Sequence, residues 1–457
     1  MKRSRSVLVL TCVTLLAASA PALGARRATC GGREPTITGS RRGETLRGTG
    51  GADVILALGG SDRILGRGGS DLICGGSGNA RIDGGAGADL VKSGPGSDRL
   101  DGGKGRDQLQ GGGGADVLSG GGGSFDFLFG GNGRDSLDGG AGPDFVAGER
   151  GDDFVSGGTG RDVVSYSTAR GGVGVDLAAE DTRGPDGSDR VIGFEVVEGS
   201  RFDDTLEGSP LDETFFGEAG DDVIRGRGGN DVAQGGAGAD RLDGGSDFDF
   251  ADYSSARAGV QVDLGAGTAS GDGADRVSRF EGVIGSEKGD DVTGSDGPDS
   301  LFGAKGNDAL DGGAGDDTLE GGPGNDDLTG GAGFDFSLYL FSARGITADL
   351  DTGTATGEGS DDLAGIEGLN GSELGDVLSG TGEPNAIYGA GGDDTLAGRA
   401  GSDQLDGGPG NDTIDGGEGT DTCPNGETVT ACEEQQAARI APRAVKRTPW
   451  FARRAGL

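Results

Sequence analysis

A nine-residue period governs what this chain can fold into. In GGKGRDQLQ, Gly102 to Gln110, a glycine-rich hexapeptide ends on Asp107 and is followed by three residues centred on Leu109. The neighbouring SGPGSDRLD and GGGGADVLS keep the phase, with Asp98 and Asp116 in the sixth place and Leu100 and Leu118 in the eighth. The consensus is G-G-x-G-x-D-x-U-x, where U is a large apolar residue. A flexible Gly-rich linker predicts no such phase, whereas a stacked solenoid requires one.

The two halves of the unit do different work. Glycines permit backbone angles that a Cβ forbids, so the hexapeptide can turn sharply and aim carbonyl oxygens at one spot. The Asp adds a carboxylate there. Oxygen-only ligands suit a hard cation, and calcium accepts irregular geometry more readily than magnesium. The x-U-x triplet is a minimal strand whose middle residue faces inward. One unit cannot bury that side chain alone, but stacked copies can. Without cations, close rows of Asp repel and a thin core faces the chain entropy.

Of the 457 residues 105 are Gly, only 32% are apolar, and the formal charge is −38. An ordinary globular core is excluded on that composition. Acidity with few hydrophobes usually means disorder, but here the acids are in register, which points to counter-cations. Nucleic acid is not an expected partner at this charge. The chain has no His, which excludes His-based acid–base catalysis and His-ligated zinc.

Residues 1–25 read as a secretory signal: Lys2, Arg3 and Arg5, then the apolar run Val7 to Ala18, then small residues with cleavage near Gly24 or Ala25. No membrane span is expected after its removal, and the location is secreted or extracellular, with cell-surface association as a further option. Cys12 leaves with the signal, so the mature chain keeps Cys30, Cys74, Cys423 and Cys432. An even count in an exported chain suggests two disulfides. Of the three pairings, Cys30–Cys74 with Cys423–Cys432 is expected, clipping both ends of the array.

Residues 26–47 are read as an N-terminal cap. The first array, 48–165, holds thirteen units, with Asp53, Asp62, Asp71, Ala80, Asp89, Asp98, Asp107, Asp116, Asp126, Asp135, Asp144, Asp153 and Asp162 in the sixth place. Ala80 supplies no ligand oxygen, and one extra residue before Asp126 predicts a bulged turn. Three six-unit arrays follow. Array two, 199–252, carries Asp204, Glu213, Asp222, Asp231, Asp240 and Asp249. Array three, 285–338, carries Asp290, Asp299, Asp308, Asp317, Asp326 and Asp335. Array four, 371–424, carries Asp376, Asn385, Asp394, Asp403, Asp412 and Asp421. The Asp residues of this series are the candidate metal ligands.

Between the arrays, spacers 166–198, 253–284 and 339–370 repeat a second motif: YSTARGGVGVDL, YSSARAGVQVDL and YLFSARGITADL. Val173, Val175 and Leu177 alternate with small or polar residues, which predicts a half-buried strand. The spacers read as wider, metal-poor coils that continue the stack, with hinges between separate rolls as the competing view. The tail, 425–457, turns basic through Arg439, Arg443, Lys446, Arg447, Arg453 and Arg454. It reads as a poorly ordered end, or else as a patch docking on the acidic array or an envelope polymer.

Twelve units match G-G-x-G-x-D without exception, GGKGRD, GGNGRD, GGAGDD and GGPGND among them. In these residues the chain resembles the RTX, or hemolysin-type calcium-binding, repeat proteins over about residues 48–424. The resemblance implies an all-β, right-handed parallel β-roll with two nonapeptides per coil and multiple calcium ions between turns. Asp107 would then share ions with the loops holding Asp89 or Asp126. The edge units of Asp53, Asp204 and Asp290 are weaker candidates. No toxin, protease or lipase domain fits before the repeats, so those activities are not carried over.

The leading expectation is therefore a secreted, non-enzymatic calcium-binding repeat protein, structural or surface-associated, whose folding is coupled to ions. The alternative is an adhesin or polysaccharide-binding module on an envelope or extracellular polymer. A lyase or epimerase acting through Tyr, Arg and Asp of the spacers ranks last, because triplicate repetition argues for architecture.

Overall fold

The computed structural model describes residues 28–426 and 428–432. It is all-β, as the period predicts: each x-U-x triplet, often with the first residues of the next hexapeptide, is a strand. Consecutive strands alternate between two parallel ladders, so a residue pairs with the one 18 places on. Leu90 pairs with Gln108 in one ladder and Arg99 with Val117 in the other. Among the described residues no helix is long and apolar enough to cross a membrane.

The core is a file of eighth-place side chains from both ladders. Val91, Leu109, Leu128 and Val146 come from one, and Leu100, Leu118 and Leu137 from the other, each at most 1% exposed. One buried side chain per nine ordered residues is a thin core against chain entropy, so the ladders and the turns must contribute the rest. The extra residue before Asp126 is absorbed as expected. Gln108 pairs with Phe127, 19 places on, and the ladder resumes at 18 with Phe127 against Phe145.

The rungs begin ahead of Gly48. Ile37–Thr38 pairs with Ile55–Leu56, and Thr45–Arg47 with Arg63–Leu65, so the segment read as a cap holds the first coil itself. Both disulfides form in the expected pairing, Cys30–Cys74 and Cys423–Cys432. The first pins the N-terminal segment over Leu56 and Leu72 on the outer face of a ladder. The second starts from Cys423, which fills the inward eighth place of the last unit. The signal-like residues 1–25 and the basic side chains of the tail lie outside the described residues.

The spacers continue the stack. Phe154 pairs with Arg190 and Val163 with Val196, both in parallel, so the two ladders run through without a gap. One ladder changes character here. In place of a single strand it receives a three-strand meander: Gly174–Asp176, Asp181–Arg183 and Arg190–Ile192. The outer two pair in parallel with the flanking arrays and the middle one runs antiparallel. The same meander recurs at Gln261–Asp263, Thr268–Ser270 and Ala274–Ser278, and at Thr347–Asp349, Thr354–Thr356 and Ser360–Ala364. The wider interior is filled by Tyr166 with Phe194, Tyr253 with Phe280, and Tyr339 with Ile366. Arg227 and Arg399, both at positive φ (78° and 74°), tie the meanders to the next array by bonding Asp176 (2.9 Å) and Asp349 (2.7 Å).

Candidate cation columns

Each turn is shaped by its second and fourth residues. Gly103 and Gly105 hold φ of +101° and +132°. A Cβ on them would meet the carbonyl oxygens of Gly85 and Gly87 at 2.1 and 1.9 Å, so those positions accept no side chain at this spacing. Gly102 serves differently. A methyl placed there would lie 2.7 Å from the Asp107 Oδ2 and 2.7 Å from the Gly120 carbonyl oxygen. Gly111 has the same relation to Asp116 and Gly130, both at 2.6 Å, and Gly130 to Asp135 and Gly148, both at 2.7 Å. A carboxylate oxygen and a carbonyl oxygen of the next coil thus crowd the same side of the first-place glycine, and both are hard oxygen donors of the kind calcium takes.

The sixth-place carboxylates form two columns down the roll. In each pair one oxygen is committed: the Asp107 N–H donates to Asp126 Oδ1 at 2.7 Å, and the Asp116 N–H to Asp135 Oδ1 at 2.7 Å. The bond repeats from Asp53 to Asp71 and from Asp403 to Asp421, spanning one coil each time. The second oxygen faces the glycine. Oδ2 is buried without a hydrogen-bond partner at Asp62, Asp71, Asp89, Asp98, Asp107, Asp116, Asp126, Asp135, Asp144, Asp153 and Asp162 in the first array. The same holds for Asp222, Asp231, Asp240 and Asp249, for Asp308, Asp317, Asp326 and Asp335, and for Asp394 and Asp403. A buried, unbonded carboxylate oxygen is costly, and a shared cation removes the cost.

Burial pushes these carboxyls up, and like-charged neighbours add to it. The rise reaches about 6 at Asp71, Asp89, Asp107, Asp116 and Asp126. It reaches about 7 at Asp153, Asp222 and Asp240 and about 8 at Asp231. Among the described residues no three His, Cys, Asp or Glu side chains converge on one point.

The structure divides the candidate ligands in two. Where the second residue of the unit is left-handed, the Asp keeps an open oxygen. This holds even when that residue is not Gly, as with Leu58, Arg67, Glu149, Glu218, Ala304 and Ala390. Where it is Ser or Thr, its backbone stays at ordinary φ and it caps its own carboxylate. Ser200 donates its N–H and its hydroxyl (2.9 Å) to Asp204, whose Oδ1 also takes the Val173 N–H at 2.7 Å. Ser286 and Ser372 treat Asp290 and Asp376 in the same way. Thr49 caps Asp53, and its N–H draws that carboxyl below the usual range. Asp299 is intermediate, with Oδ2 bonded by the Ser295 N–H and Oδ1 open. Asp412 and Asp421 stay in the columns, accepting the N–H groups of Asp394 and Asp403. Ala80 leaves a gap in the carboxylates, but its N–H still bonds Asp98 Oδ1 at 2.6 Å.

Six acidic residues escaped the sequence reading. Asp189, Asp275 and Asp361 sit in the column inside the spacers, accepting the N–H of Asp153, Asp240 and Asp326 at 3.0, 3.0 and 3.2 Å. Glu195, Glu281 and Glu367 do the same for Asp162, Asp249 and Asp335 at 2.8, 3.0 and 3.0 Å. The signal was present as a contracted motif, GSDRV, GADRV and GSDDL. At the first and third spacers a tyrosine takes the remaining oxygen: the Tyr166 hydroxyl donates to Asp189 Oδ2 at 3.2 Å and Tyr339 to Asp361 Oδ2 at 3.3 Å. Burial and the adjacent carboxylate push the phenols of Tyr166 and Tyr253 well above 10.

These features define a parallel β-solenoid with oxygen-lined turns suited to hard cations. A family model for the RTX calcium-binding nonapeptide repeat matches residues 38–73, 75–109, 93–124, 126–164, 212–251, 284–319, 305–336, 370–405 and 388–423. These matches span more than half of the chain, which belongs to that family: it is a calcium-binding repeat protein. A comparison with curated proteins finds no match.

Proposed function

We propose that the chain is a secreted structural or surface protein, not an enzyme, whose roll forms outside the cell as its columns fill with many calcium ions. The open sixth-place Asp residues are the ligands, together with first-place-glycine carbonyls of the adjacent coil. The self-capped Asp53, Asp204, Asp290 and Asp376 and the tyrosine-bonded Asp189 and Asp361 are not. The observation that carries this reading is the buried Oδ2 without a partner, repeated opposite a carbonyl oxygen on coil after coil. Extracellular modules bind calcium at about 10⁻⁴–10⁻³ M, so the chain stays open during export and closes in the medium. The two disulfides and the signal-like N-terminus support that location.

Calorimetric titration of the chain lacking residues 1–25, with circular dichroism followed in parallel, tests it. Uptake of many ions should coincide with the appearance of β-structure. A chain that is ordered in excess chelator and takes up no calcium would sink the reading.

A further inference from the structure

The outward face of the ladder that carries the meanders holds an unusual row at its N-terminal end. Arg63, Arg81 and Arg99 occupy the same place on three successive rungs, directly opposite one another in register. All three are exposed, and rungs are about 4.8 Å apart. Like charges placed directly opposite across strands are destabilising. Several other arginines of this ladder are paired with acids, Arg190 with Glu180 and Arg225 with Glu207, both at 2.7 Å, and Arg227 with Asp176 at 2.9 Å, while Arg241 and Arg276 stand opposite one another as a single pair. The side chains of the three make no ion pair or hydrogen bond among the described residues, and Arg47 and Arg67 beside them extend the exposed positive surface. In a chain of net charge −38, three arginines in succession, where Arg241 and Arg276 make only two, concentrate positive potential along one line of the roll.

We propose that this row binds a linear acidic polysaccharide carrying one carboxylate per sugar, laid along the roll so that successive carboxylates meet successive guanidiniums. Arg suits carboxylates through paired, charge-assisted hydrogen bonds. Asp83 and Asp101, exposed two residues on from Arg81 and Arg99, offer acceptors to sugar hydroxyls. A nucleic acid duplex, with a charge about every 1.7 Å, would be repelled by the rest of the surface. A polymer with one charge per sugar, at lower charge density, is repelled less. The inference rests on the calcium-filled roll, which alone brings the three arginines into line.

The test is retention of the calcium-loaded chain on immobilised oligogalacturonate, with dextran and duplex DNA as comparison surfaces. The combined variant Arg63→Gln, Arg81→Gln, Arg99→Gln is run beside it, and circular dichroism in calcium reports separately on the roll. Retention on oligogalacturonate alone, weakened at least about tenfold in the variant at an unchanged spectrum, supports the proposal. Equal retention of the variant would mean calcium bridging to exposed acids and would overturn it. Equal binding to DNA, or no retention by a chain whose spectrum shows the roll, would overturn it too. So would a self-association that the variant abolishes without any polymer binding, since the row would then meet the acidic body of a second copy.

Discussion

The interior of the first array and the coils at the array boundaries share a backbone but solve the same electrostatic problem in opposite ways. From Asp62 to Asp162 the sixth-place carboxylates keep a buried oxygen open, and in units such as those of Asp71, Asp107 and Asp135 it lies beside a carbonyl of the neighbouring coil. At the boundaries that oxygen is occupied by the protein itself. A Ser or Thr of the same unit does this where an array begins, as at Ser200, Ser286 and Ser372. A tyrosine does it inside a spacer, as at Tyr166 and Tyr339. The difference teaches that the roll has two kinds of coil. One leaves a buried carboxylate oxygen open and the other closes it with its own hydroxyls, which on the proposed reading divides the cation columns into segments.

The comparison can be broken most directly by removing calcium. In excess chelator the arrays should lose β-structure and become protease-sensitive, with cuts falling in units such as GGKGRD before they reach the meanders. Cleavage spread evenly over arrays and spacers would erase the distinction. A sharper probe pairs Asp107→Asn and Asp116→Asn with Asp204→Asn. The first two should raise the calcium midpoint several-fold while easing repulsion in chelator, whereas Asp204→Asn should leave the calcium midpoint where it was. Equal midpoint shifts at open and capped sites, read by titration, would show that the open oxygen is not what matters.

The pH dependence has a definite sign. The folded, ion-free carboxyls are raised to about 6 at Asp107 and about 7 at Asp153, above the unfolded value of about 3.9. The ion-free roll therefore holds protons that the unfolded chain releases. Its stability should be greatest below about pH 4 and fall as pH rises through 6 to 7. Calcium binding should show the opposite trend, weakening as pH drops through that window. Dichroism in chelator and in calcium between pH 4 and 8 checks both. Tyr166→Phe should cost about 1–3 kcal/mol by leaving Asp189 Oδ2 unbonded, measured by denaturant unfolding in calcium. The smallest effect is expected from Ser286→Gly, which should free Asp290 and add one bound ion by titration.

Much of this was legible in the period. The inward Leu109, the left-handed Gly103 and Gly105, and the 18-residue coil follow from nine residues read against strand geometry. The edge units of Asp53, Asp204 and Asp290 were set apart for their position alone. The physical reason, a Ser or Thr in the second place, was visible in the sequence and passed over. Asp189, Asp275 and Asp361 do not stand out by the period, because their units keep the last glycine before the Asp but not the full glycine run, in GSDRV, GADRV and GSDDL. The meanders were not legible in full, since pairing of an antiparallel strand such as Asp181–Arg183 depends on a partner far along the stack. Arg63, Arg81 and Arg99 looked like scattered outward residues until the coil length placed them in one row.

The meanders have one more consequence. Each spacer gives one ladder a set of three strands where the opposite ladder passes directly from Val163–Ser165 to Val196–Glu198. The surplus strands fall beside Tyr166, Tyr253 and Tyr339, which are 87 and 86 residues apart, so the same ladder is widened at a regular interval while the other runs through by direct pairing. The number of such widenings follows the number of times the chain repeats its array and spacer.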